Sequence, residues 1–192
     1  NNNGREVVGS AVFPAVFIAA NDTDFMVRLR LDDDPLQSGN VRPFGWGLLL
    51  DTNGDFNAYE FSLMIDGTGN PRTVVFAQNT SPGTTGSPQD AAETVLSSIA
   101  INLNAGGNVQ VTTADSTFKS TPDFFIDFST PLSVLRTAGI SLTQPLRIIA
   151  GTSSSANSIS LDLAGTAAAP GAGTIYTCPM HPHIQQHGPG LC

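Results

Sequence analysis

Charge is scarce in this chain. Asp, Glu, Lys and Arg make up 12% of its 192 residues, about half the roughly 25% usual in soluble domains, so Asn, Ser, Thr and Gly must carry the solvation. Lysine occurs once, as Lys119, and the arginines are scattered, so no basic stripe forms. With a formal net charge of −8, nucleic acid and anionic membrane are excluded as partners on electrostatic grounds. Long apolar runs are missing too: residues 11–20 are interrupted by Pro14 and fall short of the ~20 residues that cross a bilayer. No membrane span is expected. Residues 1–177 contain neither histidine nor cysteine, which removes the usual Ser-His and Cys-His nucleophile arrangements. Acidic pairs could be drawn from Asp51, Asp55, Glu60 and Asp127, but no spacing selects two of them for glycoside hydrolysis. An enzyme is not expected. The sequence opens on Asn1 rather than Met, and the expectation is a removed signal sequence and an extracellular or cell-surface location.

What the chain does have is alternation. Phe25, Val27, Leu29 and Leu31 alternate with Met26, Arg28 and Arg30, the period that puts one strand face in a core and the other in water. Tyr59, Phe61, Leu63 and Ile65 repeat it, after a more buried run from Phe44 to Leu50. Further strands are expected at 12–19, 73–78, 109–112, 124–128, 146–151 and 158–163, each bounded by Gly, Pro, Asn or Asp. Residues 91–103 are ambiguous between strand and helix. One short helix is expected after Thr130, with Pro131 in its first turn, Leu132 and Leu135 inward and Gly139 at its end. The pattern predicts an all-β antiparallel β-sandwich, jelly-roll-like, with Phe25, Val27, Leu29, Phe61, Leu63, Ile65, Phe124, Ile126 and Phe128 facing its core.

The expected organisation is an N-terminal extended segment at 1–10, the sandwich at 11–163, a Gly/Ala-rich linker at 164–174 and a Cys/His-rich tail at 175–192. Residues 79–89 carry too much Pro, Gly, Ser and Thr for regular structure and read as a surface loop. Terminal segments of such composition fray unless they dock. An extended end can add itself as a strand to an open sheet edge, its own or a neighbour's, and a head-to-tail contact between identical subunits yields an open filament. Deleting residues 1–10 is then expected to shorten polymers and leave the sandwich folded.

The tail gathers Cys178, Met180, His181, His183, His187 and Cys192, a soft and borderline donor set suited to copper or zinc. Pro179, Pro182 and Pro189 restrict the chain that must close around a metal. The run Tyr-Thr-Cys-Pro-Met-His-Pro from Tyr176, followed by Gly-Pro-Gly-Leu-Cys192, resembles the heavy-metal-binding domain of bacterial copper and heavy-metal efflux proteins. That resemblance covers residues 176–192 and implies metal binding by Cys178, Met180, His181 and Cys192. The family pattern continues past its second cysteine into a Pro-x-Cys-Gly-Met segment that this sequence does not include. The alternative is a Cys178–Cys192 disulfide, since two cysteines of an exported chain usually pair; copper on the imidazoles would survive it.

Asp51, Asn53 and Asp55 place oxygens at alternate positions, as calcium loops do, with Glu60 nearby. Gly54 is misplaced for an EF-hand, and a tight turn is the commoner use of Asp-x-Asn-Gly. Asp32, Asp33 and Asp34 read as a solvated strand end. The order of elements in residues 10–165, with LLLDTNGD, YEFSLMIDGTG and DFFIDFSTPLSVL, loosely resembles carbohydrate-binding module family 9 and DOMON-type sandwiches of exported bacterial proteins. That resemblance implies a carbohydrate partner; Trp46 and two Tyr are few aromatic faces for one, and most Phe occupy core-period positions. The reading is an extracellular structural subunit, a self-assembling fibre or matrix protein with a copper-binding tail. The alternatives are a carbohydrate-binding module and a periplasmic metal-handling accessory protein.

Overall fold

The alternation in residues 24–31 is realised as a strand, β2 (Asp24–Leu31), with Phe25, Val27, Leu29 and Leu31 all buried. The computed structural model describes residues 4–54, 58–83, 88–144 and 146–164. In a four-stranded sheet, β2 lies between β1 (Val16–Ala20) and β10 (Phe124–Pro131), with β9 (Val109–Thr113) outermost beside β10. A six-stranded sheet runs, edge to edge, through β12 (Asp162–Ala164), β11 (Arg147–Ser153), β5 (Gly45–Asp51), β6 (Phe61–Asp66), β7 (Thr73–Gln78) and β8 (Thr94–Ala100). A short ribbon, β3 (Leu36–Gln37) with β4 (Asn40–Val41), links them. All of these pairings are antiparallel. Among the described residues one helix occurs, α1 (Leu132–Thr137), so the all-β class with a single short helix stands as expected.

Leu29, Ile126 and Phe128 of the first sheet and Leu48, Leu63, Ile65 and Phe76 of the second enter one apolar cluster. Each such side chain contributes about 1.5–3 kcal/mol through burial. A second cluster of Leu49, Tyr59, Met64, Ala77, Ala92 and Ile159 covers the opposite face of the six-stranded sheet. Strand β5 is buried on both faces for this reason, as a continuous rather than alternating apolar run requires.

Several expected details change. Phe124 is half-buried rather than core, because β10 begins there, beyond the cluster that holds Ile126 and Phe128. Residues 12–15 are not strand: Pro14 has no N–H for a ladder, and β1 starts at Val16. The hairpin from β5 to β6 needs residues 52–60, so Tyr59 precedes its strand and is buried in the second cluster, donating to the Asp90 carbonyl at 2.5 Å. Residues 94–100 resolve as strand. Pro131 is the N-cap residue of α1, while Leu132 and Leu135 are buried and Gly139 takes φ +83 beyond its end, as foreseen.

Candidate functional site

The tail donors Cys178, Met180, His181, His183, His187 and Cys192 lie outside the described residues, as do the 165–174 stretch and Asp55. Asp51 and Asn53 can be placed. The Asp51 Oδ1 accepts the Gly54 N–H at 2.7 Å and its Oδ2 faces Arg147 Nη1 at 3.3 Å. Glu60 accepts from Thr52 N–H at 2.7 Å and from the Asn53 amide at 2.8 Å. The Asp51 carboxylate is therefore engaged by the loop backbone and by an arginine, and Glu60 by the loop residues Thr52 and Asn53. Among the described residues no group of three or more His, Cys, Asp or Glu is arranged to hold a metal. Trp46 is fully buried and Tyr59 nearly so, and neither offers a face to a sugar ring.

The built feature of the body is its N-terminal end. Residues 4–8 form a strap that bonds to both sheets. On the six-stranded side, the Trp46 indole N–H donates to the Gly4 carbonyl at 2.7 Å, the Thr152 hydroxyl to the Arg5 carbonyl at 2.5 Å, and Val7 N–H to Asp162 at 2.7 Å. On the four-stranded side, Val7 bridges Leu31 in antiparallel fashion, Val8 N–H donates to the Arg30 carbonyl at 3.0 Å, and Asp32 N–H to the Glu6 carbonyl at 3.1 Å. The Arg5 guanidinium lies 4.4 Å from the Phe44 ring centre, a cation–π contact. Thus residues 4–8 of the segment expected to be extended are bonded into their own body.

One charge cluster fastens it. Lys119 binds the Glu6 carboxylate and stands 3.4 Å from Asp32. Asp32 is buried, not a solvated strand end, and its second carboxylate oxygen finds no hydrogen-bond donor. Burial pushes its carboxyl above the ordinary range against the pull of the Lys119 ammonium. The hydrogen bond to Glu6 holds the Lys119 ammonium above the ordinary lysine value. Because the folded chain then holds this proton more tightly than the unfolded chain, the clasp contributes fully below the ordinary value of 10.5 and is lost as pH rises beyond it. Trp46 is the single Trp of the chain, so its emission reports the strap. An alkaline titration is expected to shift that emission above the lysine range, and Lys119→Arg, which keeps its proton past pH 12, is expected to postpone the change.

On the outer face of the four-stranded sheet Arg28 pairs with Asp127 at 2.6 Å, and Arg30 is buried. Phe125 and Phe13 flank the Arg30 guanidinium, which donates to Pro14 O, Asp115 and Ser116. Glu6, Asp32, Lys119, Trp46 and Thr152 were not legible as a unit: their only sequence signal is a lone lysine in an acidic chain. No protein-family model, curated protein or solved structure matches the chain.

Proposed function

We propose that this chain is a non-enzymatic structural subunit, exported and self-associating through its terminal segments into a fibre or matrix, with a C-terminal tail that takes copper or zinc. The body is read as a β-sandwich, a reading supported by side chains of both sheets meeting in one cluster. The observation that carries the assembly reading is the strap, an extended terminal segment held mainly by backbone groups across two sheets. Such docking accepts any chain of the same sequence. A second support is β8, an edge strand of seven uncharged residues whose Val95 and Leu96 are 59% and 41% exposed; edges of this kind template further pairing. Negative-stain microscopy and light scattering of the native protein test the assembly. Long polymers are expected, and a strictly monomeric native protein overturns it.

The metal reading rests on the donor set of the tail. Copper titration of the full chain against a truncation ending at Gly173 is expected to show uptake in the full chain alone. Because imidazole must be neutral to coordinate, affinity is expected to weaken as pH falls below the ~6.5 reference value of His. Equal uptake by both forms places the metal elsewhere. With the cysteines paired, reduction changes the stoichiometry; with them free, alkylation weakens binding directly.

A further inference from the structure

We infer that the strap is the exchanged element of the assembly: residues 4–8 of one copy leave their own body and dock on the body of the next, at the seam lined by Leu31, Trp46, Thr152, Asp162 and Lys119. This rests on the assembly reading above and specifies its contact. The seam's fit is already shown by its occupant in the same chain. Four of its hydrogen bonds take the backbone of residues 4, 5, 7 and 8, a fifth takes the Glu6 carbonyl, and one ion pair, Glu6 with Lys119, adds register. An identical strap from a neighbour satisfies every one of them.

The chain between strap and β1 supplies the freedom to exchange. β1 pairs with β2 through Val16 opposite Leu29, and the strap pairs with the same strand through Val7 opposite Leu31. Arg30 between them donates its N–H to the Ala15 carbonyl at 2.8 Å and accepts Val8 N–H. Strap and β1 are therefore two pieces of one edge strand, with residues 9–14 looped out between them. The loop is turned by Ser10, whose N–H reaches the Phe13 carbonyl and whose hydroxyl accepts the Val12 and Phe13 N–H groups. It leaves Val12 77% exposed and brings Gly9 so near Ala15 that a Cβ on Gly9 would meet Ala15 at 2.7 Å. Straightened, these six residues span about 20 Å at ~3.3 Å each, enough to carry the strap off its own seam. A cleft of about 240 Å³ bounded by Arg5, Glu6, Leu161 and Asp162 lies beside the strap. Exchange keeps each strap contact and gives up contacts of the loop, the Phe13 ring and the Pro14 carbonyl at Arg30 among them, so copy concentration decides the outcome. The contact is head-to-tail and propagates wherever the rotation does not close a ring.

The test uses two full-length variants, Glu6→Lys and Lys119→Glu. Each alone sets like charges against each other at the clasp, both within one copy and between its own copies. An equimolar mixture restores opposite charges only between copies, so its weight-average mass by light scattering is expected to rise at least twofold over either variant alone, with both variants present one to one. No gain in mass overturns the exchange. Polymers of undiminished length in both single variants also overturn it and leave the assembly reading standing on another contact. A mixture that stops at closed dimers while the unaltered chain stays monomeric supports the exchange and ends the fibre reading. Independently of charge, Val7→Cys copies mixed with Leu31→Cys copies, both carrying Cys178→Ser and Cys192→Ser, are expected to form disulfide-linked dimers on mild oxidation, since bridge partners lie within the Cα separation that a disulfide spans. Absence of covalent dimers from folded mixtures counts against the exchange.

Discussion

Removing residues 1–8 is expected to lower the unfolding free energy by about 3–5 kcal/mol, a large share of the roughly 5–15 kcal/mol that holds a domain. The effect is the sum of groups stranded by the cut. The indole N–H of fully buried Trp46 loses the Gly4 carbonyl, and the buried Thr152 hydroxyl loses the Arg5 carbonyl. Each buried polar group left without a partner costs about 1–3 kcal/mol unless water reaches it. Asp162 and the edge of β2 at Arg30 and Asp32 lose backbone partners as well. Denaturant unfolding followed by Trp46 emission measures the loss, and an unchanged midpoint contradicts the strap's structural role. Deleting residues 1–10, expected to leave the sandwich folded, would also remove these bonds. Point changes at the Glu6–Lys119 clasp therefore separate assembly from folding better than a truncation does.

Arg147→Met is expected to destabilise the chain by about 2–4 kcal/mol, as removing one member of a buried ion pair does. Arg147 and Asp51 face each other in register between β11 and β5, with the Asp51 carboxylate only 2% exposed. Methionine keeps most of the bulk but leaves that carboxylate buried against no cation. Pairing the change with Asp51→Asn is expected to recover part of the loss, because the amide keeps an oxygen for the Gly54 N–H and carries no charge. A double-mutant cycle from urea melts gives the coupling directly. Additive losses in that cycle would show that the pair contributes nothing beyond its separate parts.

The strands were legible because their signal is local. Residues 73–78, an apolar run between Pro71 and Asn79, form β7 with those bounds, and Phe25, Val27 and Leu29 are buried as their period requires. Strand β8 was not, and the reason lies in its place: at a sheet edge its side chains face water, and a register irregularity opposite Phe76 and Ala77 breaks the alternation. Arg30 is expected on the strand face turned to water; it lies on that outer face but is buried there. Its burial depends on Phe13, Asp115 and Ser116 arriving from other parts of the chain, and no local pattern encodes that. The strap is harder still, since Arg5-Glu6-Val7-Val8 is too short for a periodic signal and its partners lie up to 155 positions away. Asn53-Gly54 signals a bend after Asp51, with Gly54 at φ +70, but Arg147, the cation that answers Asp51, arrives only through sheet pairing.

The solitary Lys119 also shapes how the protein responds to amine chemistry. Its side chain is 47% exposed, and no other lysine competes for an acylating dye or an aldehyde fixative. Such reagents have one side-chain amine to find, and it is the one that grips Glu6. Acylated, that nitrogen is neutral and the grip is released, so a lysine-directed label placed to watch the strap would loosen it. For the same reason aldehydes cannot tie copies together through lysine pairs on separate parts of the surface. Probes meant to leave the strap in place are better carried on exposed Ser or Thr positions converted to cysteine.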